Sequence, residues 1–136
     1  MSVSVVVPCY NAEKFLDQCL SSIEADPMEG LEIIVLNDGS TDGSLAIMEA
    51  HAAGDARVRV IDKANQGYGA TVNRGFNEAR GEYVAVVEPD DYLKPGMFSA
   101  LYQLACKQDY PDVVKSSYWR VYMADTPREH LYHCHY

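Results

Sequence analysis

Apolar residues follow two alternating rhythms along this chain. Unbroken runs at Val3 to Val7, Leu31 to Leu36, Val58 to Ile61 and Tyr83 to Val87 read as buried strands. Between them, apolar residues recur at helical spacing. Phe15, Cys19, Leu20 and Ile23 mark a helix over 13–23, and Val72, Phe76 and Ala79 one over 67–79. Phe98, Leu101, Leu104 and Ala105 mark another over 95–107, with Pro95 near its start. Asp42-Gly43-Ser44 opens a further helix through about Ala53, with Ser or Asp available as its cap. Residues 26–30 form a turn, 113–122 read as extended, and the pattern dissolves after Ala124.

Strand alternating with helix predicts a three-layer α/β/α domain with a mostly parallel central sheet. It covers residues 1–124 and leaves 125–136 as a tail. Parallel strands need right-handed crossovers. Ligands of such sheets bind outside the carboxyl ends of the strands, where strand order reverses. Every polar cluster described below falls at such an end.

Composition narrows the function classes. With 136 residues the chain can bury one core, and 48% apolar residues is ordinary for a globular domain. A net charge of −9 argues against a nucleic-acid partner and a polybasic membrane patch. No apolar run has the length of a membrane-spanning helix. The N-terminal strand lacks the basic flank of a signal peptide. Cys9, Cys19, Cys106 and Cys134 form no Cys-x-x-Cys pair, so they read as reduced thiols of a cytoplasmic protein.

Three strand ends carry candidate chemistry. Glu88-Pro89-Asp90-Asp91 places three carboxylates where a buried strand stops. That is costly unless a cation is bound, and Mg²⁺ or a similar hard ion takes carboxylate oxygens together with substrate phosphates. Pro8-Cys9-Tyr10-Asn11 either ends a strand and caps a helix, or offers Tyr10 as an aromatic face for a base with Glu13 nearby. The run from Asn37 to Ser44 has more small and polar residues than one helix cap requires. Asp38 within it can accept a hydrogen bond from a base N–H.

A fourth segment, Lys63 to Gly75, contains Gly67-Tyr68-Gly69 but lacks a third glycine at the dinucleotide-binding spacing. It also follows the wrong strand, and no phosphate-binding Gly-Lys-Ser/Thr loop occurs anywhere. The His130-Leu131-Tyr132-His133-Cys134-His135 run offers zinc-type ligands. Such close neighbours cannot all face one ion in regular structure, so it reads as a loose tail or the start of a further element.

Taken together, Val5 to Asn11, Asn37 to Asp42, Asn65-Gln66-Gly67 with Asn73-Arg74-Gly75, and Glu88 to Asp91 resemble the motifs of family 2 glycosyltransferases of the GT-A fold. The resemblance runs from about residue 3 to 105. It implies that Pro8, Tyr10, Asn11 and Glu13 surround a nucleotide base, uracil by preference, and that Asp38 reads that base beside Ser40. Asn65, Gly67 and Asn73 would lie along the sugar diphosphate. Glu88 and Asp90 occupy the two acidic positions of an Asp-x-Asp-like motif. Glu88 would then face the nucleotide, and Asp90 with Asp91 would hold Mg²⁺ or Mn²⁺. Glu88 departs from the usual aspartate by one methylene, which extends its reach.

The implied activity is inverting, metal-dependent transfer from a nucleotide sugar to a carbohydrate or lipid-linked acceptor. The catalytic base is unknown and expected beyond the C-terminus. Asp109, Asp112, Asp125 and Glu129 stand in no base motif. The chain then reads as the donor half of a longer enzyme, inactive alone, cytoplasmic and positioned at the inner face of the membrane when full length. Its cut edge, including part of 116–122, would expose apolar surface and promote homodimers. A nucleotidyltransferase would need a glycine-rich basic loop after the first strand, which is absent. An inactive nucleotide-binding module of the same fold is the alternative.

Overall fold

The structure, a computed structural model, describes residues 2–122 and 128–133. The chain divides into two compact units, Met1–Ser99 and Ala100–Tyr136. Strands β1 (Val3–Cys9), β2 (Leu31–Asp38), β3 (Val58–Lys63) and β4 (Tyr83–Val86) lie in the first, with helices α1 (Glu13–Glu24), α2 (Ser44–Gly54) and α3 (Tyr68–Glu78). Helix α4 (Met97–Lys107) follows, and strands β5 (Tyr118–Tyr122) and β6 (Arg128–Tyr132) belong to the second unit. Asp125, Cys134 and His135 lie outside the described residues.

The first unit is a mostly parallel sheet with helices, as the alternating pattern predicts. Its four strands are ordered β3-β2-β1-β4 and all pair in parallel. This order places α3 on its own. From β1 the chain steps through α1 to β2 and through α2 to β3 in one direction. It then returns past β1 to β4. Right-handed crossovers therefore put α1 and α2 on one face and α3 on the other. The reversal occurs between β1 and β4, so their carboxyl ends flank a crevice.

Strand β1 is fully buried, and Val5, Val6 and Val7 have no exposed surface. It continues through Pro8 to Cys9, beyond the end expected at Val7. Pro8 costs the sheet nothing. Val3 N–H bonds toward β2 and Val6 C=O accepts Val87 N–H on the β4 side. Alternation then points residue 8 to the β4 side, where pairing has already stopped at Val6–Val86.

The helix faces differ from the expected ones in one residue each. Helix α1 buries Leu16, Cys19, Leu20 and Ile23, whereas Phe15 is exposed. Helix α3 buries Thr71 and Gly75 and leaves Phe76 outside. The cause is a close approach: a Cβ on Gly75 would overlap the Val6 side chain. The helix therefore lies with its backbone against β1, and Phe76 rotates out. In α4, Phe98, Tyr102 and Ala105 are buried and Leu104 is exposed.

Val6, Ile34 and Leu36 form the core under α3, with Ile61 and Ala79 packed against them. Like β3 at the other side, strand β4 is an open edge of the sheet among the described residues. Its Val84 and Val86 remain exposed.

In the second unit, residues 128–132, expected as tail, pair antiparallel with β5. Tyr118 stacks on Tyr132 at 5.0 Å, with the Arg120 guanidinium 5.1 Å from the same ring. Aromatic pairing across the ladder supplies what apolar alternation does not. Tyr118, Trp119 and Tyr122 are exposed. Among the described residues no helix is long and apolar enough to cross a membrane.

Candidate active site

The carboxyl ends of β1 and β2 are stitched together by side-chain bonds to backbone. Asn11, in the left-handed region at φ 50°, accepts Thr41 N–H at 2.8 Å, and Ser40 Oγ accepts Asn11 N–H at 3.0 Å. Glu13 accepts Gly43 N–H at 2.6 Å, while Asp42 accepts Glu13 N–H at 3.2 Å and Ser44 N–H at 2.9 Å. Ser44 Oγ accepts Ala12 N–H at 3.0 Å. Helices α1 and α2 thus cap each other, which satisfies amide groups that a helix start leaves unpaired. Burial pushes the Asp42 carboxyl up, but the bonds from Ser44 and Glu13 outweigh it and hold it below its ordinary value. Tyr10 is left with its ring open to solvent, 54% exposed.

Asp38 sits deeper, 4% exposed, and organises a second loop. Its Oδ1 accepts Lys63 Nζ and, at 2.9 Å, Gln66 N–H; its Oδ2 accepts Gly67 N–H at 3.0 Å. Lys63 also donates to Thr71 Oγ1 at 3.0 Å, and Thr71 in turn donates to Gly67 C=O at 3.0 Å. Burial raises the Asp38 carboxyl, yet the Lys63 ammonium and the Gln66 N–H prevail and depress it. A carboxylate has about four lone-pair sites, and with the Thr71 hydroxyl also acting on it the loop takes up most of that accepting capacity. Gly39 lets this loop close: its φ is +69°, and a Cβ there would stand 2.8 Å from Asn65 N.

The end of β4 carries the acidic motif. Cys19 Sγ donates to Glu88 C=O at 3.5 Å and Asp91 N–H bonds to the same oxygen at 3.0 Å, closing the turn. Burial raises the Asp91 carboxyl, and the charges of Asp90 and Glu88 add to it. Burial and then the neighbouring Asp91 charge push the Cys19 thiol up to about 12. No ion pair among the described residues neutralises Glu88, Asp90 or Asp91. Glu88 instead accepts the Tyr68 hydroxyl.

The three predicted clusters therefore meet on one edge of one sheet. Pro8 is buried inside β1 and shapes the strand end, whereas Asn65 and Asn73 are exposed. Two participants escape a reading of the sequence. Lys63 ends β3 opposite Asp38 in register, and Tyr68 opens α3 opposite Glu88. Opposite charges at the ends of neighbouring strands were the available signal for Lys63. A metal fits this edge only in a shared sense. Among the described residues no three His, Cys, Asp or Glu side chains converge as a metal site. Mg²⁺ commonly takes one or two carboxylates and completes its shell with water and substrate phosphate. Crowded, unneutralised Asp90 and Asp91 match that donor set.

The chain resembles known proteins in sequence and in fold. The Glycosyl transferase family 2 model matches residues 4–134. EpsJ of Bacillus subtilis, described as an uncharacterized glycosyltransferase, is 40% identical over 118 residues, 87% of this chain and 34% of that protein. Glycosyltransferase GlyG of Streptococcus pneumoniae is 42% identical over 118 residues, 86% of this chain and 39% of that one. The crystal structure of S. aureus TarS 1-349 in complex with UDP-GlcNAc superposes with a TM-score of 0.74 at 29% identity, over 80% of this chain and 32% of that chain. The chain spans roughly a third of the length of these relatives. With its sheet order, its motif-bearing strand ends and a family match over nearly its whole length, the chain belongs to glycosyl transferase family 2.

Proposed function

We propose that the carboxyl edge of this sheet is the donor site of an inverting glycosyltransferase that takes a nucleoside diphosphate sugar, a UDP-sugar first among them. The observation that carries this is that Tyr10, Asp38 and the unneutralised Glu88-Pro89-Asp90-Asp91 end all lie at the carboxyl ends of the neighbouring parallel strands β1, β2 and β4. A related protein of the same fold is described in complex with UDP-GlcNAc, which supports uridine as the base.

Each residue has a place in this reading. Tyr10 offers a ring face to the base, and Asp38 accepts a base N–H. Asn11, Glu13 and Ser40 hold the rim, because their polar atoms are already committed to each other's loops. Asn65, Gly67 and Asn73 line the sugar diphosphate and Glu88 meets the ribose. Asp90 and Asp91 would hold Mg²⁺ or Mn²⁺, which as a Lewis acid would offset charge on the leaving diphosphate. The acceptor hydroxyl attacks the anomeric carbon from the opposite face. The bond to the diphosphate breaks with its electron pair on the phosphate, and the hydroxyl proton passes to a base assigned to no residue here. Acceptor contacts, a cytoplasmic location and pairing of copies belong to the same proposal.

Calorimetric titration of UDP in the presence of Mn²⁺ tests it. We expect binding that excess chelator removes and that Asp90→Ala weakens at least tenfold, in line with a lost charge-assisted contact. Equal binding by wild type and Asp90→Ala would remove the metal–diphosphate role from this strand end.

A further inference from the structure

Tyr68 stands at a junction that the motifs do not describe. It is the first residue of α3, directly after Gly67, whose N–H is held by Asp38 at 3.0 Å. Its hydroxyl donates to Glu88 Oε1. A continuous chain of contacts therefore runs from the end of β2 through the start of α3 to the end of β4. It passes the mouth of β1, which lies between those strands. Tyr68 nevertheless keeps 58% of its surface exposed, so the ring is not there as core packing.

The pairing has chemical consequences on both sides. Donating its one proton to Glu88 leaves the phenol oxygen able to accept. It also occupies Oε1 of Glu88, so that Oε2 is the oxygen offered to a ligand. The additional methylene of Glu88, relative to the aspartate usual at this motif position, gives the carboxylate the reach for this contact.

We propose that Tyr68 is a positioning residue of the donor site, which holds Glu88 so that phenol and carboxylate together accept the two ribose hydroxyls of a nucleoside diphosphate. The inference rests on the donor-site reading above and adds a residue to it. A ribose diol presents two neighbouring O–H donors, and this pair presents two neighbouring acceptors. A nucleotide lacking the 2′-hydroxyl satisfies only one of them. The second is then left desolvated without a partner, which is the usual origin of strong discrimination between hydroxylated and deoxygenated ligands.

The test is a double-mutant cycle on UDP binding to this chain with Mn²⁺, using Tyr68→Phe, Glu88→Asp and the double variant, with dUDP as second ligand. Tyr68→Phe keeps the ring, and a matched thermal melt shows that the fold is retained. We expect Tyr68→Phe to weaken UDP about tenfold, the scale of a hydrogen bond to a charged group, and to weaken dUDP much less. In the Glu88→Asp background the same change should have little effect, because the shorter carboxylate no longer engages the phenol. UDP binding unaffected by Tyr68→Phe, effects that simply multiply in the double variant, or an equal loss for UDP and dUDP would each overturn the role of Tyr68 while leaving the donor site standing. Absence of UDP, GDP and dTDP binding by the wild type would overturn the donor site and this inference with it.

Discussion

Asp38 shows how one buried carboxylate can fix a loop. Lys63, two loop amides and the Thr71 hydroxyl all act on it. Lys63→Met removes the counter-charge while the two amides remain. We expect a loss of about 2–3 kcal/mol in urea unfolding, below the ~3–5 of a fully buried broken pair. Its pH dependence has a definite sign. The Asp38 carboxyl titrates below its ordinary value of 3.8 when folded. Its pairing therefore stabilises the protein above that value, and the contribution is lost as pH falls through the depressed one. Thermal melts between pH 6 and pH 3 should show a steeper acid loss in wild type than in Lys63→Met; parallel curves would contradict the pairing. At this scale the sequence was legible where a motif is local. Asp38, Tyr10 and the acidic end stand out because each closely follows an apolar strand run. Lys63 and Tyr68 did not, since each meets its partner across 20 or more residues.

Among the elements, α3 sets the geometry of the crevice, and Gly75 sets α3. The helix backbone lies against Val6, with no room for a Cβ. Gly75→Ala gains helix propensity of about 1 kcal/mol but overpacks the contact, at roughly 1–3 kcal/mol or more. We expect net destabilisation in chemical denaturation, and a smaller penalty when Val6→Ala is made as well. Additive losses in that pair would show that the contact is not what limits the site. This approach also explains which helix faces were legible. Periodicity locates α1, α3 and α4 to within a few residues, but it ranks residues by hydrophobicity. It therefore selected Phe15, Phe76 and Leu104, where packing chose Leu16, Gly75 and Tyr102. Strand β6 escaped because Arg128-Glu129-His130-Leu131-Tyr132 has almost no apolar alternation.

For the molecule as a whole, strand order explains why the site lies where it does. Reversal between β1 and β4 opens the crevice, and the acidic motif ends the strand that flanks it. The same order leaves β4 as an open edge, with Val84, Val86 and Phe76 exposed. An unpaired edge with apolar side chains is a template for association. Sedimentation across a wide concentration range should show self-association that Val84→Lys reduces; a monomer throughout would contradict pairing through this edge. The measurement that tests the donor site most directly is a hydrogen-exchange footprint of UDP with Mn²⁺. Residues 9–13, 38–44, 65–68 and 88–92 should be protected together, and protection should disappear with chelator in the last group first. Protection confined to other surfaces, or none at saturating nucleotide, would mean that the convergent strand ends of this sheet are not a nucleotide-sugar site.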